Sequence, residues 1–279
     1  SHICFTSARW HTKRRRPHHV TEDVGLVVLR NIIRGFVMLE NERQIAMTMK
    51  PHRVAQIFRA RFARTAGIVY IGHLDLMRTF ERVCRRAEFP ILYSQGYNPR
   101  PSMVFALPLG VGVATTSDYV DIFLEERIDA AIIISRFNQF CPNGLRLLEG
   151  GYVSSDSGSL MAEVSAATYH IASPNIREYT EKLLQRDSIM VMKRSKGKMK
   201  EAEIRDLFLE VSQEESEPHS ISITVLAGSS RNLRPDLFLE AMSELEAYPS
   251  IDKDNAMVTR TALFMGEYPH LEPLSKTYS

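Results

Sequence analysis

Two hydrophobic periods alternate along the chain from Val54 onward. Val54 to Phe62 reads as a strand, and Ala63–Gly67 as the turn that follows it. From about Leu74 to Ala87 the apolar residues Leu76, Phe80, Val83, Cys84 and Ala87 recur at i, i+4, i+7, i+8 and i+11, the period of a helix. Pro90 ends that helix and Ile91–Tyr93 begins a second strand. After the loop Ser94–Pro101, Met103–Leu109 is apolar enough for a buried strand and Tyr119–Leu124 reads as another. Ile133, Phe137 and Phe140 predict a helix over Ala130–Phe140. Pro142-Asn143-Gly144 stops it, and Leu145–Leu148 makes a last strand. The order βαββαβ suits a ferredoxin-like α+β unit over residues 51–153, with helices on one face of a mainly antiparallel sheet.

The small polar stretch Ser154–Ser159 reads as a linker. A second pass of the same plan follows over residues 160–268, with 269–279 as a tail. Val164–Ala172 is a strand. Asn175 can cap a helix carrying Ile176, Tyr179, Leu183 and Leu184. Ile189–Met192 and Ile204–Val211 read as strands on either side of the charged run Lys193–Lys200. Ser220–Leu226 alternates Ile221, Ile223 and Val225 with Ser222 and Thr224, the pattern of a half-buried strand. Pro235 and Asp236 open a helix continuing through Leu239, Met242 and Leu245, and Met257–Phe264 closes the unit. The expected fold class is therefore α+β, with two ferredoxin-like units in tandem. No residue-level repeat accompanies that architectural one.

Residues 1–50 follow neither period. A basic, His-bearing stretch (His11, Lys13–Arg16, His18, His19) runs into a short amphipathic segment, and residues 1–46 read as a poorly structured leader or an upstream extension. Charge separates this segment from the rest. Residues 1–49 hold 8 Lys and Arg against 4 Asp and Glu, whereas the remainder holds 27 against 29. The small net charge of +2 belongs to the leader and gives no global argument for nucleic-acid binding. The longest apolar stretch, Gly25–Leu39, is interrupted by Arg30 and Arg34, short of the ~18–20 residues of a membrane span. It also lacks a small-residue cleavage site, which argues against a signal peptide. Cys4, Cys84 and Cys141 stand far apart with no CxxC. That excludes a disulfide framework, and a Cys-ligated zinc or iron–sulfur site within this chain, and fits a cytoplasmic protein.

One run is distinctive: Arg61-Phe62, the HLDLMR core from His73 to Arg78, Arg85-Arg86-Ala87, Tyr93-Ser94, Gly96-Tyr97-Asn98-Pro99 and Phe105-Ala106. Further motifs follow at Tyr119–Asp121, Pro142–Leu145, Lys196–Lys198, Ile204-Arg205 and Asn232–Pro235. In this order, over residues 53–265, the chain resembles the radical SAM-linked proteins. These are a bacterial family of unknown function whose members are fused to, or encoded beside, radical SAM proteins. The resemblance implies S-adenosylmethionine and an iron–sulfur cluster in a partner enzyme, and no cofactor in this chain. Two positions depart from the family's usual residues: Gly72 stands for Ser, and Arg100 for His.

Four constellations are candidate sites. His73 and Asp75 open the first helix, where His73 could carry a proton or meet an anion at the helix N-terminus. Residues two apart on a helix do not face each other, so the two form a dyad only if His73 stands outside the helix. Arg78, Arg82, Arg85 and Arg86 recur opposite the apolar stripe, either as a solvated face or as a surface for phosphates. The loop Ser94–Pro101 offers Tyr97, Asn98 and Arg100, stiffened by two prolines. The basic run includes Lys196 and Lys198, and Arg234 precedes a helix start that lacks the phosphate-loop pattern.

Nothing in the chain supplies a metal-ligand, nucleophile or nucleotide motif. The expected function is an accessory protein, in the cytoplasm and away from membranes, that binds a substrate or partner for a separate radical SAM enzyme. RNA or a ribosome-related particle is the expected cargo. His73 and Asp75 would orient the ligand, and the arginines would hold phosphates. The alternatives are a metal-independent RNA-processing endonuclease or RNA-binding protein that uses His73, and a plain protein-docking adaptor.

Overall fold

In strand β1 (Gln56–Arg64), Phe58, Ala60 and Phe62 point to one side and Arg59 and Arg61 to the other, as the two-residue period of a strand requires. The computed structural model describes residues 55–154, 158–195, 197–229, 231–245 and 256–278. The expected leader, the centre of the 154–159 linker, Lys196 and the last residue of the tail lie outside them. Phe58, Ala60 and Phe62 enter an apolar core with Leu76, Phe80 and Val83 of helix α1 (His73–Arg86) and Ile133 and Phe137 of α2 (Ala130–Phe140). Phe62, Phe80 and Phe105 meet edge to face with centroids 5.0–5.9 Å apart.

The sheet around β1 is completed by β2 (Met103–Phe105), β3 (Val113–Leu124) and β4 (Leu145–Val153). Strand β1 lies between β4 and β3, antiparallel to both, and β2 pairs with β3. The short helix α3 (Leu160–Glu163) leads to β5 (Ala166–Ala172) and α4 (Ile176–Leu184). The hairpin β6 (Met190–Ser195) and β7 (Lys198–Glu203) stands as a separate two-stranded sheet, turning at Gly197 with φ 78°. Then come β8 (Phe208–Ser212), β9 (Ser220–Leu226), α5 (Pro235–Ser243), β10 (Met257–Glu267) and β11 (His270–Pro273).

These strands form a mixed α/β protein around a large, mostly antiparallel sheet ordered β4-β1-β3-β10-β5-β9-β8, with β2 beside β3 and β11 beside β10. The sheet is continuous across the two stretches that the sequence divides. The join is a short parallel ladder in which Val113, Ala114 and Thr115 of β3 face Val258, Thr259 and Arg260 of β10. A second core, built on Ile171, Ile223 and Val225 with Ile176, Leu183, Phe238 and Met242, fills the β10 side. Among the described residues no helix is long and apolar enough to cross a membrane.

The reverse face of β1 is covered as well. Helix α3 and the C-terminal turn Leu274–Thr277 reach it. Packing is tight there, because a Cβ on Gly151 would come within 2.9 Å of Tyr278. Elsewhere the structure extends or trims the expected elements. Strand β3 begins at Val113, before its apolar stretch. The apolar run from Met103 keeps strand pairing only to Phe105, and Ile91 and Tyr93 make single bridges to Leu124 and Pro101.

Gly144 ends the α2–β4 connection at φ 88°, and its carbonyl accepts from the Thr65 amide at 2.8 Å. A Cβ there would lie 2.4 Å from the Thr65 carbonyl oxygen. Gly144→Ala is therefore expected to lower unfolding free energy by more than about 1 kcal/mol, read by urea denaturation. An unchanged midpoint would contradict this reading of the turn.

Candidate functional site

Helix α1 sorts its polar residues by face. Leu76, Phe80, Val83 and Cys84 are buried, and burial pushes the Cys84 thiol up to about 12, so it serves as core and not as a nucleophile. Arg78, Arg82, Arg85 and Arg86 are exposed on the opposite side. Arg78 pairs with Asp75 at 3.0 Å on the surface, and Arg82 donates to the Thr79 hydroxyl at 3.2 Å. No carboxylate pairs with Arg85 or Arg86 among the described residues.

His73 is the first residue of α1, capped by Gly72, whose carbonyl accepts from the amides of Asp75 and Leu76. It stands within the helix, and Asp75 turns outward to Arg78, so the two form no dyad. The His73 ring sits edge-on to Phe105 at 5.4 Å, half-buried. Its Nδ1 is buried without a hydrogen-bond partner among the described residues. Burial lowers its pKa; Asp118 opposes that shift and Arg64 adds to it. Burial thus disfavours the charged form of the His73 imidazole, which stands near the buried Asp118 and Arg64.

Those charges escape a sequence reading. Arg59, Arg64 and Arg260 are fully buried, with Asp118 and Asp121 beside them. Arg59 grips Asp121 with two parallel bonds, Nε to Oδ1 at 2.8 Å and Nη2 to Oδ2 at 3.0 Å. It also reaches Glu163 at 2.5 Å and the Thr277 hydroxyl at 2.9 Å. Burial alone would lower the Arg59 pKa, but the hydrogen bonds to Asp121 and Glu163 carry it above its usual value. Around the β3–β10 join, Arg64, Thr115, Arg260 and Tyr169 form one cross-strand row through β1, β3, β10 and β5. Arg260 pairs with Asp118 at 2.5 Å and donates to the Leu107 carbonyl at 2.8 Å. Arg64 has carbonyl partners only, on Ile71, Gly110 and Val113, and desolvation lowers its pKa.

The loop after α1 is closed at its base. Ser94 donates its amide to the Arg100 carbonyl at 2.8 Å, and the Arg100 amide donates to the Ser94 hydroxyl at 3.0 Å. Tyr97 at its tip is fully exposed, and Asn98 and Arg100 are exposed with it. Strand pairing settles which end of the sheet it occupies. The end of α1 leads through Ile91, opposite Leu124, so Arg85, Arg86 and the loop share the Leu124 end of β3. His73 lies toward Asp118, further back along β3.

Lys198 is exposed on β7, in a hairpin packed against α5. Arg234 sits at the N-cap of α5 and pairs with Asp236 at 2.8 Å. Both lie in the β5–β10 half, away from the α1 face. Among the described residues no three His, Cys, Asp or Glu side chains are placed to hold a metal ion.

Residues 58–235 match a family described as an uncharacterised protein conserved in bacteria (DUF2344). The chain belongs to this family. The matched region runs from Phe58 of β1 through α1, the Tyr97 loop and β3 with its Asp118 and Asp121, and ends at Pro235, the first residue of α5. Arg260 of β10 lies beyond it. No curated protein matches the sequence closely enough to stand as a relative of this DUF2344 member.

The depressed His73 pKa has a consequence for stability. An unfolded histidine takes up a proton near pH 6.5, whereas folded His73 resists it, so stability present above that pH is lost as pH falls through it. Urea denaturation at about pH 7.5 and about pH 5.5 should show a drop that His73→Asn reduces. Equal drops in both proteins would show that His73 protonates freely in the folded state.

Proposed function

We propose that this chain is an accessory binding protein that presents RNA, or a ribonucleoprotein particle, to a radical SAM enzyme carried on a separate chain in the cytoplasm. The observation that carries the binding half of this reading is the joint position of Arg85, Arg86 and the fully exposed Tyr97 loop at one end of the sheet. Guanidinium groups fit phosphate oxygens, and an exposed aromatic ring on a stiff loop stacks on an unpaired base. The radical SAM half rests on the resemblance at the HLDLMR and Gly96–Pro99 motifs. S-adenosylmethionine and the iron–sulfur cluster belong to the partner in this reading.

We also read each half as a ferredoxin-like unit. The orders β4-β1-β3-β2 and β10-β5-β9-β8 both follow the 4-1-3-2 sequence of that fold, with β6 and β7 inserted in the second. The nuclease alternative has less support. His73 lacks a partner on Nδ1 among the described residues and sits back from the arginine end, where a general base needs to reach the proton it takes.

Fluorescence anisotropy with a labelled single-stranded RNA tests the binding half. Affinity should fall at least tenfold between about 50 and 200 mM salt. A combined Arg82→Glu, Arg85→Glu and Arg86→Glu variant should abolish it. Tyr97→Ala should lose about 1–3 kcal/mol, a stacked base's contribution. Binding that is absent, or indifferent to salt and to these changes, would contradict the proposal.

A further inference from the structure

The hairpin β6–β7 changes character along its length. At its base Val191 is buried and Ala202 half-buried, both packed into the second core beside α5. The Ile204 amide closes the ladder there on the Ile189 carbonyl at 2.9 Å. Glu203 adds to this anchor, since its carboxylate accepts from the amides of Ile189 and Arg205, both at 2.8 Å, and from the Ser188 hydroxyl. Beyond the base the composition reverses. Between Met192 and Glu201 the chain holds Lys193, Arg194, Lys196, Lys198 and Lys200 and no acidic residue.

Strand register sorts these cations. Directly opposed residues of an antiparallel pair lie on one face, and successive residues alternate between faces. Lys193 is opposite Lys200, and Ser195 is opposite Lys198, on the same face as Val191 and Ala202. The face that is buried at the base therefore carries three lysines toward the turn at Gly197. Glu201 is opposite Met192 on the other face and does not come between them. Lys193 borders a concavity at the base with Arg231, Glu203 and Asp206, whereas Lys198 and Lys200 are exposed. No ion pair engages any of the three lysines among the described residues.

Like charges directly opposite each other in a hairpin are destabilising, whereas opposite charges there stabilise. A polyanion laid along this face relieves the Lys193–Lys200 repulsion. Residues 189–203 include no aromatic and no amide side chain. The hairpin thus has no stacking platform for unpaired bases and no amide group for base edges. Lysine ammonium groups set at the spacing of a ladder suit the regular phosphates of a duplex, which is recognised through its shape and backbone.

We propose that the β6–β7 hairpin binds the phosphate backbone of double-stranded RNA through Lys193, Lys198 and Lys200. The inference rests on the RNA reading above and deepens it. The substrate is an RNA with a paired stem, held by the hairpin, and unpaired bases, met by the Tyr97 loop.

Fluorescence anisotropy of the full chain with a labelled RNA duplex of about 16 base pairs, and with an unstructured single strand of the same length, tests this assignment. A combined Lys193→Gln, Lys198→Gln and Lys200→Gln variant should bind the duplex at least about tenfold more weakly. Its slope of log affinity against log salt should be shallower by about two to three. Its affinity for the single strand should change by less than about threefold, and its thermal midpoint should stay or rise. Arginine at the same three positions should keep duplex binding. The assignment is overturned if the parent binds the single strand but not the duplex, or if the glutamine variant binds the duplex with the parent's affinity and slope. It is overturned equally if the three lysines hold the chain to phosphatidylserine vesicles and not to duplex RNA. A parent that binds neither RNA contradicts the RNA reading itself, and this assignment with it.

Discussion

Three guanidinium groups buried in one sheet constrain everything else in this fold. An uncompensated buried charge costs about 3–5 kcal/mol, so Arg59, Arg64 and Arg260 must each find acceptors for the sheet to close. Arg59 finds them on Asp121, Glu163 and Thr277, which lie in β3, in the helix before β5 and in the C-terminal turn. Arg260 finds them on Asp118 and Leu107, across the join. The two networks sit on opposite faces of β3 and both tie the β1–β4 half to the β5–β10 half. They also fix register. A slip of one residue in β1 would drive Arg59 into the phenylalanine core and leave Asp121 without a cation. The ladder at the join is only three residues long, and this ionic stitching specifies its alignment.

The same arrangement divides the chemistry of the molecule. Charges on the inner row shape the back of the sheet: they hold the Leu107–Val113 stretch in place, while burial beside Phe105 disfavours the charged form of His73. The far end of β3 carries the freely exposed arginines and Tyr97. Groups at that end are solvated and suited to reversible contact with phosphates and bases. Groups at the join are desolvated and are bonded to one another and to backbone carbonyls.

Much of this was legible in the sequence where a single period dominates. The helices expected at Leu74–Ala87 and Ala130–Phe140 appear at His73–Arg86 and Ala130–Phe140, and Ser220–Leu226 is a strand as read. The early part of β3 was not legible, because Thr115, Thr116, Ser117 and Asp118 read as loop residues. Val113–Thr115 pair with β10, a partner about 145 residues away, and Thr115 and Asp118 pair with Arg64 and Phe62 of β1. The ionic networks were hidden for a related reason. Arg59 and Arg61 alternate with Phe58, Ala60 and Phe62, which is the signature of a solvent face, and only the packing of α3 and the C-terminal turn over that face buries Arg59. The exposed candidates fared differently: Arg85 and Tyr97 were named from the residues, but their shared end of the sheet follows from strand pairing alone.

If the buried arginines join the two halves into one cooperative structure, the halves should open together. Native-state hydrogen exchange in increasing denaturant, comparing the amides of Phe58–Phe62 in β1 with those of Ile221–Val225 in β9, tests this most directly. A single shared opening free energy for both sets is the expected result. Two separate openings, differing by more than about 2 kcal/mol, would mean that the halves fold independently and that the ionic join does not bind them into one unit.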